Sequence, residues 1–107
     1  MKLVMLSVLL AATSAAQTMQ TFVGVITDDV CAKGGHEGMR MGPTDAECTR
    51  LCVMIHDAQY VLSAGDDVYM LSDQYTPEAF AAQKVRVVGT LDARTKTIQV
   101  ESITLAE

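Results

Sequence analysis

The sequence predicts a small, mainly β domain of five strands with two short helical segments. Three observations support this prediction: runs rich in β-branched and aromatic residues, two pairs of such runs joined by turn residues, and two helix-start signals. The order of these segments along the chain then determines the fold class.

The first strand is predicted at 21–27, "TFVGVIT", because β-branched and aromatic residues dominate it. Asp28 and Asp29 end this strand. We expect their carboxylates to face water at a strand end, with coordination of a hard cation as the alternative. Residues 32–43 predict a loop, since four glycines and a proline interrupt them.

A capping box, "TDAE" at 44–47, predicts the start of a helix over 45–56. The Thr44 side chain can accept a hydrogen bond from the backbone N–H of Glu47, and the Glu47 side chain can reach back to Thr44. One buried face follows from the i, i+3, i+4, i+7 spacing of Cys48, Leu51, Cys52 and Ile55. Met54 is also expected to pack in the core.

Two hairpins and a short helix complete the predicted elements. The hairpins are "QYVLSAGDDVYML" at 59–71 and "KVRVVGTLDARTKTIQVESI" at 84–103, each with turn residues between alternating runs. Between them, Thr76 is a helix N-cap followed by Pro77 at the first helical position. This pair predicts a short helix, "PEAFAAQ", at 77–83.

The resulting element order predicts an OB-like barrel, a small Greek-key barrel of five strands. The order places a helical insertion between strands 1 and 2 and a short helix between strands 3 and 4. A small open α+β sheet is the competing topology. With no linker or repeat, residues 17–107 are expected to form a single domain.

The sequence also resembles a group of short exported bacterial proteins of unknown function. The segments "GVITDDVC", "CTRLC" and "YVLSAGDDVYML", with a histidine between the first two, are similar to that group. The ending "KVRVVGTLDARTKTIQVESI" looks like the closing hairpin of small exported OB-type domains. The resemblance covers nearly all of the chain after residue 16 and implies a fold and a compartment, not an activity.

The N-terminus predicts export. "MKLVMLSVLLAATSAAQ" has one lysine, an apolar run of about ten residues and a small-residue site, the layout of a signal peptide over residues 1–16. We therefore expect a periplasmic or secreted protein that does not stay in a membrane after cleavage.

The charge of the chain argues against nucleic acid as a partner. Because Lys2 lies in the predicted signal peptide, residues 17–107 keep seven basic residues against 13 acidic ones, a net charge of −6. Binding to phosphates needs clustered Lys and Arg, which this chain lacks. A monomer that binds a metal ion, a protein or a small molecule is expected.

All three cysteines and both histidines lie between Cys31 and His56. Cys48 and Cys52 are i and i+4 on one helix, about 5–6 Å apart at Cβ, whereas a disulfide needs about 3.8 Å. A bridge between these two would therefore be strained. One alternative is a disulfide from Cys31 to Cys48 or Cys52, which leaves one buried thiol and stabilises a small exported domain.

The other alternative is a metal site. Thiolates and thioethers select Cu(I), and thiolates with imidazole suit Zn²⁺. The candidate ligands are three thiolates together with one imidazole and two thioethers. The thiolates are Cys31, Cys48 and Cys52, and the other three residues lie in the loop before the helix: His36, Met39 and Met41. His36 otherwise faces solvent in its glycine loop, and His56 caps the negative end of the helix.

No set of nucleophile, base and orienting group emerges, so the protein is not expected to be an enzyme. The sequence leaves three hypotheses: a protein that binds Cu(I) or Zn²⁺, a disulfide-stapled module that binds a ligand or protein without catalysis, and a thiol redox protein that uses Cys48 and Cys52.

Overall fold

The computed structural model describes residues 18–34 and 40–106. The predicted signal peptide, residues 1–16, lies outside this part of the chain. In chain order the elements are β1 (Gln20–Asp28), α1 (Cys31–Gly34), α2 (Asp45–His56), β2 (Tyr60–Ala64), β3 (Asp67–Leu71), a 3₁₀ helix (Thr76–Phe80), β4 (Lys84–Asp92) and β5 (Thr97–Leu105). The mainly β class, the five strands and the helical insertion after the first strand confirm the prediction.

The strands pair edge to edge in a closed ring with the order β1-β2-β3-β5-β4. β1 is antiparallel to both β2 and β4, whereas β3 and β5 meet as a short parallel pair through Met70–Thr97 and Leu71–Ile98. Because β4 returns to lie beside β1, the first four strands have the spatial order 4-1-2-3 of a Greek key. β5 then closes the ring between β3 and β4.

The interior of the ring is filled with apolar side chains. Successive side chains of a strand point to opposite faces, and on β4 Val85 and Val87 are buried while Lys84 and Arg86 are exposed. The buried core consists of Ile26, Tyr60, Leu62, Leu71, Val85, Val87, Ile98 and Ile103. This core contains no cysteine. All three cysteines lie in the insertion between β1 and β2.

Local capping sets both ends of α2. The Thr44 hydroxyl accepts a hydrogen bond from the backbone N–H of Glu47 at 3.1 Å, as the capping box predicted. At the other end Asp57 adopts a left-handed conformation with φ of 58°, and the N–H of Ala58 donates to the carbonyl of Cys52 at 3.3 Å. The observed bounds of the helix match the predicted range 45–56.

The buried face of α2 differs from the prediction. Its buried residues are Cys48, Thr49 and Cys52, while Ile55 is 58% exposed and Met54 is 73% exposed. The predictions that these last two residues are buried are wrong. The helix is rotated so that Val53, one residue after Cys52, packs against the ring core as well as the cysteines, which leaves the following residues facing solvent.

The predicted helix over 77–83 is also wrong, because only a 3₁₀ helix forms, at Thr76–Phe80. After it, Ala81 makes an isolated bridge with Ile26, and the N–H of Ala82 donates to the Ile26 carbonyl at 2.8 Å. Backbone pairing with β1 thus takes over where an α-helix would have continued. The helix that follows β1 is the single long α-helix of the described residues.

Membrane-spanning helices are not found among the described residues, since none of their helices has the length and apolar character needed to cross a bilayer.

Candidate metal site

Two helices of the insertion, α1 and α2, carry the three cysteines and bring them together. Cys31 is the first residue of α1, shortly after β1 ends, and Cys48 and Cys52 lie one turn apart on α2. Cys31 is 4% exposed, and Cys48 and Cys52 are fully buried. Together with Ala58 they form a small buried cluster separate from the ring core. We call Cys31, Cys48 and Cys52 the cysteine cluster.

The sulfur atoms of the cysteine cluster are close enough to share one ion. All three Sγ atoms lie within 4.8 Å of one another, and those of Cys31 and Cys48 are 3.9 Å apart. A tetrahedral ion bonded to two sulfurs at about 2.3 Å holds them about 3.8 Å apart, whereas a disulfide requires about 2.05 Å. The three cysteines are free in the structure, and the spacing of their sulfur atoms would allow them to hold one metal ion.

A backbone group and a thioether lie beside the cluster. The N–H of Met41 points to the Sγ of Cys48 at 3.4 Å, and the partly buried Met41 side chain packs against the cluster. The loop before α2 therefore contacts the cluster through one backbone donor and one thioether.

A buried carboxylate borders the cluster. Asp28, the last residue of β1, is fully buried, and its Oδ2 accepts a hydrogen bond from the Cys31 N–H at 3.0 Å. The expectation that this side chain faces water at a strand end is therefore wrong. Its neighbour Asp29 is partly exposed and accepts a hydrogen bond from the Gln59 N–H at 3.0 Å.

Burial and Asp28 raise the pKa of two of the three thiols, Cys31 and Cys52. Burial raises the pKa of the Cys31 thiol, and hydrogen bonding to the Asp28 carboxylate and its negative charge raise it further. Burial and the charge of Asp28 likewise raise the pKa of Cys52.

The predicted ligands divide into two groups. The structure brings Cys31, Cys48 and Cys52 together and places Met41 against them. His36 and Met39 fall outside the described residues. Asp28 was missed as a site residue, because a carboxylate at the end of a strand gives no local sign that a later helix will cover it.

An open cleft lies on the solvent side of α2, between this helix and the 3₁₀ helix. It has a volume of about 550 Å³ and is lined by Arg50, Tyr75 and Glu78, with Thr76 and Ala79. The Arg50 Nε donates to the backbone carbonyl of Glu78 at 3.1 Å and spans the cleft. Tyr75 is 91% exposed, so an aromatic surface is available to a ligand there.

Comparisons with models of protein families, with curated proteins and with solved structures found no match to this chain.

Proposed function

We propose that this is an exported, non-catalytic protein that binds one soft transition metal ion, Cu(I) or Zn²⁺, through Cys31, Cys48 and Cys52. The observation that carries the proposal is the convergence of three buried sulfur atoms within 4.8 Å of one another. Thiolates are among the ligands that bind both ions in proteins. Two of the three come from one helical turn, so a rigid element sets part of the geometry.

The fourth ligand is proposed to come from the loop before α2. Met41 supports this, because its side chain already packs against the cluster. A thioether would complete a site for Cu(I), and an imidazole would complete a tetrahedral site for Zn²⁺. Met39 and His36 remain the other candidates from the same loop.

We further propose that the ring is an OB-like barrel, as the sequence suggested. The Greek-key order of its first four strands and the closure by β5 support this assignment. Export is supported by the N-terminal pattern of residues 1–16. A bound metal ion would also stabilise a domain of this size, because its small core alone provides modest stability.

The proposal is tested by expressing the full chain in a bacterial host and recovering it from the periplasm and the medium. Intact mass, thiol content and bound metal are then measured on the same sample after loading with Zn²⁺ or Cu(I). We expect a chain without residues 1–16, three reactive thiols after unfolding in chelator, and one metal ion per chain. A mass lower by two hydrogens, together with one reactive thiol and no bound metal, would refute metal binding.

Two ligand variants sharpen this test. Cys48→Ser and Cys52→Ser should each lower metal affinity at least about tenfold, since each removes one thiolate from the site. Met54→Ser is the matched control, because Met54 lies on the same helix but is 73% exposed. If both cysteine variants bind metal as tightly as the control does, the helix pair is not part of the ligand set.

A second function, a ligand-binding module stapled by a disulfide, is favoured by two observations. The Cys31 and Cys48 sulfurs are 3.9 Å apart, so they would have to approach by about 1.9 Å to form a disulfide. The cleft beside α2 offers Tyr75 and Arg50 to a ligand. The mass and thiol measurements distinguish the two functions, because a disulfide between Cys31 and Cys48 removes two of the three ligands.

A further inference from the structure

A second feature of the site is the unusual environment of Asp28. Its carboxylate is fully buried, and Oδ2 is held by the Cys31 N–H at 3.0 Å. The other oxygen, Oδ1, has no hydrogen-bond donor among the described residues. Burying a carboxylate oxygen without a hydrogen-bond donor or a cation costs free energy. A cation bound near Asp28 Oδ1 would reduce this cost.

Among the side chains that the structure describes, no basic group forms a salt bridge with Asp28. The two salt bridges among these side chains join Arg40 to Asp45 and Lys96 to Asp67, and both pairs are largely exposed. Neither involves Asp28. The negative charge of Asp28 acts on two groups of the cluster, the thiols of Cys31 and Cys52, whose pKa values it raises.

The charge of Asp28 therefore acts on any ion held by the cluster. Three thiolates and one carboxylate carry four negative charges, of which a divalent ion compensates two and a monovalent ion only one. In a buried site, where the dielectric constant is low, each uncompensated charge is expensive. The environment thus penalises Cu(I) bound by three thiolates more than it penalises Zn²⁺.

We propose that Asp28 is a specificity-determining residue that shifts the preference of the cysteine cluster toward a divalent thiophilic ion, Zn²⁺ first, and away from Cu(I). This inference rests on the proposed metal binding by the cluster. The three sulfurs form the group within mutual reach of one ion, and Asp28 lies beside that group. It acts by charge and by holding the backbone of Cys31, as carboxylates that support metal ligands commonly do.

The experiment compares Asp28→Asn with wild-type protein. Asparagine keeps an oxygen for the Cys31 N–H and removes only the charge. Zn²⁺ affinity is measured by competition with a chromophoric chelator, and Cu(I) affinity by competition with bicinchoninic acid under anaerobic conditions. Because the charge penalises the Cu(I) complex more than the Zn²⁺ complex, we expect Asp28→Asn to lower the ratio of Zn²⁺ to Cu(I) affinity by about tenfold or more, mainly through tighter binding of Cu(I).

Three further variants give the comparison its controls. Asp29→Asn removes the neighbouring carboxylate, which bonds to Gln59 and not to Cys31, and should change neither affinity. Asp28→Glu keeps the charge and should keep more of the Zn²⁺ preference than asparagine does. Asp28→Ser is a second neutral variant, measured in parallel, and circular dichroism reports whether each variant folds.

The outcomes are distinct. A fall in the ratio of Zn²⁺ to Cu(I) affinity in a neutral variant, but not in Asp29→Asn, supports the proposal. Equal changes in the two affinities, whether gains or losses, or no change in either, overturn it and leave Asp28 as a purely structural residue. Unfolding of both neutral variants while Asp28→Glu folds overturns it as well. A wild-type protein that binds neither ion refutes the proposed function itself.

Discussion

At the scale of single residues, protonation of the buried thiols links stability to pH. Cys31 and Cys52 have pKa values raised above the ordinary 9.0 by burial and by Asp28. Above about pH 9 the unfolded chain loses protons that the native thiols still hold, so the free energy of unfolding falls. We expect the metal-free protein to keep the full contribution of these thiols below that pH and to lose it progressively above.

Urea unfolding of metal-free protein at several values between about pH 7 and about pH 10 checks this expectation. Cys52→Ala should weaken the pH dependence, because one of the two shifted thiols is gone. Burial also raises the pKa of Tyr60 above 10.0, so Tyr60 contributes to the same pH dependence. Proteins with and without Cys52 are therefore compared in a Tyr60→Phe background. Equal slopes with and without Cys52 would contradict the prediction.

At the scale of elements, the N-terminus of α2 controls the position of Cys48, one residue of the cysteine cluster. The Thr44 hydroxyl caps the helix through the Glu47 N–H, and the Thr44 carbonyl accepts a hydrogen bond from the Cys48 N–H at 2.9 Å. Replacing a capping threonine by alanine costs about 1 kcal/mol. We expect Thr44→Ala to lower the free energy of unfolding by about that amount, as measured by urea unfolding monitored by circular dichroism.

Thr44→Ser is the matched control, because serine keeps the capping oxygen and should keep most of the stability. Alanine and serine variants of equal stability would show that the hydroxyl does not stabilise the helix.

The same helix shows what local sequence predicts at this scale. Its bounds follow from residues 44–47 and from the turn after His56, all within a few positions of the helix ends, and they were predicted correctly. Its buried face depends on what α2 packs against. The rotation that buries Thr49 and exposes Ile55 was therefore not predictable from the spacing of apolar residues.

At the scale of the whole molecule, closure of the ring depends on a close approach at β4 and β5. The pairing of these strands shifts register between Val88 and Gly89. A Cβ atom at Gly89 would overlap the carbonyl oxygen of Gln99 and come within 2.8 Å of an Ile98 side-chain carbon. We expect Gly89→Ala to lower the free energy of unfolding by about 1–3 kcal/mol, since the backbone of β5 must move to make room.

Ser102→Ala is the control for this variant. Ser102 lies opposite Val88 in the same pair of strands but is exposed, so its replacement should change stability by less than about 0.5 kcal/mol. Thermal unfolding of both variants provides the measurement. A Gly89→Ala protein as stable as Ser102→Ala would show that the two strands are not packed as closely as described.

The sequence by itself determined the features that depend on neighbours in the chain. Three features could be predicted because each signal is contained in a short stretch of sequence. They are the alternation in β4 and β5, the capping box at Thr44, and the presence of three cysteines in one insertion. They predicted five strands, the helix at 45–56 and a candidate site of cysteines. The helix predicted at 77–83 failed because residues 81–83 pair with β1, a partner distant in sequence.

Only the tertiary structure decided which distant groups meet. Cys31 lies 17 residues before Cys48, yet their sulfurs are 3.9 Å apart, because the end of β1 and α2 pack against each other. The same packing buries Asp28, which in the sequence is one of two adjacent aspartates at a strand end. Burial, and with it the cost of an uncompensated charge, is a property of the assembled molecule and not of a local pattern.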